Sequence, residues 1–207
     1  MSPTALDEVD PAEAARGLFL IVTAANAGEV VSVLATGTVV GVLFEVPETG
    51  DLPLGIVEAR AACRSAGVAV FAPSADDADW LDADGVVLDA GGAVEAVRRK
   101  LGPGRLIGAR AGISRHRAMV AGEAGADFIA FGDLEHPPGE RLEEILAWWS
   151  ELFVLPSLVL AGPLDEVAAA RLGRAGADFL GLALDPAIAD PRTAELLAGA
   201  FGVEPSR

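Results

Sequence analysis

Cysteine is almost missing from this chain. The one residue among 207, Cys63, leaves no partner for an internal disulfide and excludes a cysteine zinc cage. It sits in "VEARAACRSAG", a helical stretch with no nucleophile signature, which predicts a buried or neutral thiol. Cations are scarce too: 15 Lys and Arg stand against 31 Asp and Glu, a net charge of −16. Such a surface repels nucleic acid and anionic membranes, pointing to small-molecule or protein partners, and it also serves solubility by itself. No apolar run approaches the ~20 residues that cross a bilayer. The opening "MSPTALDEVDPAEAARG" is acidic and lacks the basic start and apolar centre of a secretory signal, so a cytoplasmic location is expected. Missing as well is a GxGxxG turn after the first apolar run, where a dinucleotide-binding sheet would carry it.

What the chain does have is hydrophobic residues, 52% of the total, enough for a sizeable core. They fall in eight short runs: "LFLIVTA" (18–24), "TVVGVLFEV" (38–46), "VAVFA" (68–72), "GVVLD" (85–89), "RLIGA" (105–109), "DFIAFG" (127–132), "LPSLVLA" (155–161) and "DFLGLAL" (178–184). Each is followed by an alanine-rich helical stretch that typically ends at glycine, as in "GAVEAVRRKLG" or "LDEVAAARLGRAG". Strands apolar on both faces and joined by crossover helices require a parallel sheet. Eight such units in this length predict one α/β domain over 1–207, a single (βα)8 TIM barrel. Residues 1–17 read as a short leading segment plugging its bottom.

One phrase is written repeatedly: "LDADGVVLD", "GEAGADFIAFGD" and "GRAGADFLGLALD". Glycine closes a helix in the left-handed conformation, Asp opens the turn into the next strand, and an apolar residue starts the core. Asp84, Asp127 and Asp178 are therefore expected to be structural parts of the bottom face.

In a barrel of this kind chemistry gathers at the strand C-termini. Those positions hold Thr23, Glu45, Ala72-Pro73-Ser74, Asp89, Arg110, Gly132-Asp133, Ala161-Gly162 and Leu184-Asp185. The densest polar stretch is "RAGISRHR", Arg110 to Arg117. Arg110, Arg115, His116 and Arg117, with Ser114 as a helix cap, read either as a phosphate or carboxylate site or as surface arginines balancing neighbouring acids. Of these, Arg110 and His116 are expected to face the pocket. In "FGDLEHPPGE", Asp133 and His136 read either as a proton-transfer pair or as part of a solvated loop stiffened by two prolines. Asp89 and Glu45 are candidate metal ligands or bases, and Asp89 could equally cap the next helix. Trp148 and Trp149 point about 100° apart on one helix, so one packs on the barrel and the other is partly exposed, a contact for a homodimer or ordinary packing.

The stretches "LIGARAGISRHRAMVAGEAGADFIAFGD" and "LPSLVLAGPLDEVAAARLGRAGADFLGLALDPAI" resemble the thiamine-phosphate synthase/TenI superfamily. The resemblance implies a TIM barrel whose seventh and eighth strand loops, here including Ala161 and Gly162, hold a phosphorylated thiazole. It also implies a transferase activity in thiamine biosynthesis that joins this thiazole to an aminopyrimidine diphosphate with Mg2+. The chain departs from that pattern at the charged positions. The Gln-x-Arg-x-Lys expected after the second strand is "GVLFEVPE", and the metal-serving Asn-Asp after the third falls on "FAPSADD", where Asp76 and Asp77 open a helix. The His-Leu-Gly-Gln-x-Asp after the fourth is "VLDAGG", and the Lys-bearing loop after the sixth is "GDLEHPPGE". Some superfamily members that tautomerise the thiazole place a His where Asp133 stands. The expectation is a degenerate site that binds a small anionic metabolite. Three readings stay open: a divergent synthase, a metal-free isomerase using Asp133, His136 or His116, and a non-catalytic sensor.

Overall fold

The structure, a computed structural model, describes residues 16–45, 51–89 and 93–203. Eight strands alternate with eight helices. The strands are β1 (Gly17–Thr23), β2 (Val39–Glu45), β3 (Ala69–Ala72), β4 (Gly85–Leu88), β5 (Leu106–Gly112), β6 (Phe128–Asp133), β7 (Ser157–Ala161) and β8 (Phe179–Ala183). The helices are α1 (Val30–Leu34), α2 (Leu54–Ser65), α3 (Ala75–Leu81), α4 (Val94–Leu101), α5 (Arg115–Glu123), α6 (Glu140–Leu152), α7 (Glu166–Arg174) and α8 (Pro191–Phe201). All strands are parallel, neighbours in sequence are neighbours in space, and β8 closes on β1. The predicted (βα)8 TIM barrel is what the chain forms. Among the described residues no helix is long and apolar enough to cross a membrane.

Alternation along the strands makes two cores. Phe19, Ile21, Leu43, Phe71, Val87, Phe128, Ala130, Leu158 and Leu160 fill the lumen. The intervening residues, such as Leu20, Phe44, Ile107, Phe131 and Val159, pack outward against helix residues such as Ile56, Leu146, Trp149 and Leu197. Three lumen rings sit edge to face or tilted, with Phe19 5.0 Å from Phe71 and Phe71 5.7 Å from Phe128. Glycines make room for them: a Cβ on Gly41 would enter the Phe19 ring, and one on Gly108 the Phe128 ring. Below the rings an apolar cavity of about 150 Å3 opens at the N-terminal end, lined among others by Val40, Leu106 and Phe179. Its lining among the described residues offers no polar side chain to orient an anion. The expected plug, 1–17, lies outside the described residues except for Arg16, which donates to Phe201 O and Gly173 O, and Gly17, which begins β1.

The repeated Asp phrase has one job three times. Asp84 Oδ2 accepts the Val70 N–H at 2.8 Å, Asp127 Oδ2 the Ile107 N–H at 2.7 Å, and Asp178 Oδ2 the Ser157 N–H at 2.8 Å. Each carboxylate thus stands ahead of an even-numbered strand and accepts an N–H from the first or second residue of the strand before it. Arg98 also pairs with Asp127, and Ser157 Oγ lies 2.9 Å from Asp178 Oδ2. The preceding glycines, Gly125 and Gly176, have φ of +93° and +92°, the left-handed helix ends that the phrase predicts. Cys63 is buried on α2, and burial pushes its thiol up to about 11, which keeps it protonated and inert.

Candidate ligand-binding mouth

Strand parity decides which side chains reach the mouth of the barrel. Glu45 follows the lumen residue Leu43 by two, Asp89 follows Val87 and Thr23 follows Ile21, so all three point over the lumen. Arg110 follows Gly108, whose absent Cβ faces the Phe128 ring, and so it does the same. Its neighbours Ala109 and Ala111 belong to the outer core. Arg110 is the cation among these lumen-facing strand ends.

Arg110 Nη1 lies 3.2 Å from Asp89 Oδ1, while the guanidinium Nε is buried and has no hydrogen-bond partner among the described residues. A buried donor left unmade costs about 1–3 kcal/mol, so this edge of the guanidinium is poised for an acceptor. The pair also borders a cavity of about 330 Å3 at the rim of the barrel, in the helix layer between α4 and α5, whose wall carries His116, Arg117 and Glu95 over an apolar floor of Val94, Ala109 and Val120. Ser114 caps α5 by accepting the Arg117 N–H at 3.3 Å, which fixes the first helical turn beside this cavity. Asp89 does not cap α4; Ala93 stands at that position without a side-chain bond.

Arg115 takes a different course from Arg110. Its guanidinium lies 4.7 Å over the Trp148 ring of α6, in the helix layer. Trp149 is buried, stacks on Phe153 at 4.1 Å and donates from Nε1 to Leu155 O, while Trp148 is only partly buried. Ala161 turns its methyl into the outer core, so only Gly162 reaches the mouth at this turn. The Gly162 N–H is already donated to His136 O at 2.9 Å, and a Cβ on Gly162 would meet the His136 backbone at 2.8 Å.

His136 and Asp133 form a second cluster, separate from the lining of the Arg110 cavity. Asp133 Oδ1 accepts the N–H groups of Glu135 and His136, each at 2.9 Å, and lies 2.8 Å from His136 Nδ1. The hydrogen bond and charge of Asp133 raise the imidazole above its ordinary range, and the same bond lowers the carboxyl. Both groups are exposed, so the pair orders a solvated loop more than it stabilises the fold. The sign follows from linkage. The His136 contribution is complete below the unfolded imidazole value of about 6.5 and is lost as pH rises through the raised folded value. The Asp133 contribution is present above the ordinary carboxylate value and is lost as pH falls through the lowered one. With only two histidines in the chain, a proton NMR titration reads this directly. His136 should titrate above the ordinary imidazole value, and Asp133→Asn should bring it back down. An unchanged midpoint in the variant would remove the pair.

Asn26 was not singled out by the sequence. Its Oδ1 accepts the Thr23 N–H at 2.8 Å and its amide donates to Leu184 O, so it ties the ends of β1 and β8. A lone Asn in "TAANAG" carries no signal of that; only barrel closure brings Leu184 to it.

Among the described residues no group of three or more His, Cys, Asp or Glu is placed to hold an ion, and Asp89 faces the Arg110 guanidinium.

The fold and the mouth define a parallel (βα)8 barrel with a cation at the end of β5 and no assembled metal centre among the described residues. No protein-family model matches the chain. The chain is 42% identical over 88 residues to a thiamine-phosphate synthase of Rhodospirillum centenum, covering 40% of this chain and 42% of that one. It is 36% identical over 159 residues to a thiamine-phosphate synthase of Thiobacillus denitrificans, covering 72% of this chain and 74% of that one. The chain spans about half the length of several of the curated relatives it matches. A solved thiamine phosphate pyrophosphorylase from Pyrococcus furiosus superposes with a TM-score of 0.69 at 20% identity, over 90% of this chain and 97% of that one, a likeness of fold. The chain belongs to the thiamine-phosphate synthase family.

Proposed function

We propose that this barrel binds a small phosphorylated metabolite of thiamine metabolism at the β4–β5 side of its mouth, with Arg110 as the anchor. The observation that carries the reading is the buried Arg110 Nε without a partner among the described residues, at the end of a strand and beside a cavity of about 330 Å3. A phosphate oxygen would accept from Nε and Nη together, the fork geometry for which guanidinium is suited. The anion would compete with Asp89 for the guanidinium. His116 and Arg117 add donors on the cavity wall, and the apolar floor takes the body of the ligand.

Charge limits the ligand. Asp89 and Glu45 share the mouth with Arg110, and Glu95 stands on the cavity wall. Several negative charges on one ligand would meet repulsion worth several kcal/mol once desolvated. A monophosphate therefore fits better than a diphosphate. This favours a binding role over the synthase activity named for the relatives. A second reading, metal-free proton transfer on a bound ring, is favoured by the Asp133–His136 pair at the end of β6.

Thermal unfolding with thiamine phosphate, with and without Mg2+, tests the proposal. At ~100 times its dissociation constant a ligand stabilises by about 2.7 kcal/mol, several degrees at this size. The expected result is a rise that Mg2+ does not alter and that Arg110→Met abolishes. No rise in the wild type, or an equal rise in the variant, overturns the assignment of Arg110. A rise that needs Mg2+ overturns the metal-free reading and returns the chain to synthase chemistry. Interconversion of thiazole tautomers that Asp133→Asn removes would establish the second reading.

A further inference from the structure

We propose that the α5–α6 face is a two-fold interface between two copies of this chain. The starting observation is how thin α5 is. It meets the barrel through Ala118, and the small residues Ala121 and Gly122 leave its flank unfilled. On the α6 side this leaves a groove of about 340 Å3 floored by Met119, Trp149, Phe153 and Leu155. On the rim of the groove, and part of its lining, stands a knob: Val154 is 103% exposed and the nearby Leu152, at the end of α6, 62%. An apolar knob next to an apolar groove on one face is self-complementary, because a two-fold axis puts the knob of each copy into the groove of the other. Leaving both in water gains nothing for the monomer.

Charge selects the second copy over another occupant. On this face Arg115 opens α5, over the Trp148 ring, and Glu123, in the lining of the groove, ends it. That order opposes the helix dipole, which favours acids at the start and bases at the end. The arrangement costs α5 stability within one chain. Between antiparallel copies it becomes complementary, since the basic end of each α5 then faces Glu123 of the other. Nine helical residues place Arg115 and Glu123 about 12 Å apart, so both ion contacts form at once around an axis near Met119. Arg115 is in no ion pair among the described residues. Elsewhere two chains of net charge −16 repel, and this face supplies both signs. The interface does not use Arg110, so it stands independently of the ligand.

Sedimentation velocity on the full chain without ligand tests the proposal. The wild type should be a dimer at about 100 µM and dissociate on dilution. Val154→Glu, at a fully exposed position that folding does not need, should give monomers. Glu123→Arg should weaken the dimer at least about tenfold, and the pair Arg115→Glu/Glu123→Arg should restore it by reversing the charges at both ends. Circular dichroism confirms folding of each variant. A monomeric wild type, or a dimer indifferent to both single variants, overturns the proposal, as does failure of the charge-reversed pair to recover.

Discussion

Gly132→Ala is expected to lower the unfolding midpoint by about 10 °C. Gly132 sits in β6 with φ +80°, a conformation that costs an alanine roughly 1–2 kcal/mol. The new Cβ would also fall well inside 3.0 Å of the Leu160 carbonyl oxygen on β7, with Leu142 of α6 behind it. Backbone cannot yield as a side-chain tip does, so overpacking adds about 1–3 kcal/mol. The total, about 3 kcal/mol, corresponds to roughly 6–12 °C for a chain of this size. Gly104→Ala, with nothing within 4 Å of the new methyl, is the control and should melt with the wild type. Differential scanning calorimetry reads both. If Gly132→Ala melts with the wild type, the end of β6 is free to relax and the register Asp133↔Ala161 is not fixed by this contact. The strain matters beyond stability, because Gly132 aims Asp133, and Asp133 orders the loop that carries His136.

The same neighbourhood shows how far the sequence could be read. Periodicity predicts eight strands, and the barrel has eight, because apolar runs bounded by Gly and Asp mark strands buried on both faces of a parallel sheet. Strand ends shift by at most three residues. The largest shift is in β5, which continues to Gly112 because its edge stays paired with β6 through an irregularity between Arg110 and Gly112. No local pattern announces a pairing that depends on the neighbouring strand.

The site is less legible for the same reason. "RAGISRHR" shows a cluster of cations along the chain, but three dimensions divide it. Strand parity sends Arg110 over the lumen toward Asp89, and helix geometry lays Arg115 across Trp148. Sequence spacing alone cannot separate a residue on a strand end from one on the next helix five positions later. The Asp133–His136 pair is different. Three residues apart in one loop, it closes by local bonds and could be anticipated from the loop itself.

The repeated Asp is the most legible element, and removing it twice should have the larger effect of the two substitutions argued here. Asp178→Ala takes an acceptor from both Ser157 N and Ser157 Oγ, and Ser157 is 1% exposed, so water cannot replace it. Asp127→Ala does the same to Ile107 N and frees Arg98 from its carboxylate partner. Each loss leaves a buried donor unmade, at about 2 kcal/mol. The two turns lie at different strand pairs with no shared partner, so their costs should add to about 4 kcal/mol, roughly 8–16 °C in midpoint. Asparagine keeps a carbonyl acceptor at the same place. Asp127→Asn/Asp178→Asn should therefore recover most of the loss, with the Arg98 pair remaining absent. If the alanine double melts near the wild type, the phrase is not what closes these turns. If asparagine fails to rescue, the negative charge rather than the acceptor holds them. Either way the result bears on the mouth only indirectly. These carboxylates stand at the opposite end of the strands from Arg110, so ligand-induced stabilisation should survive in the folded variants even as their midpoints fall.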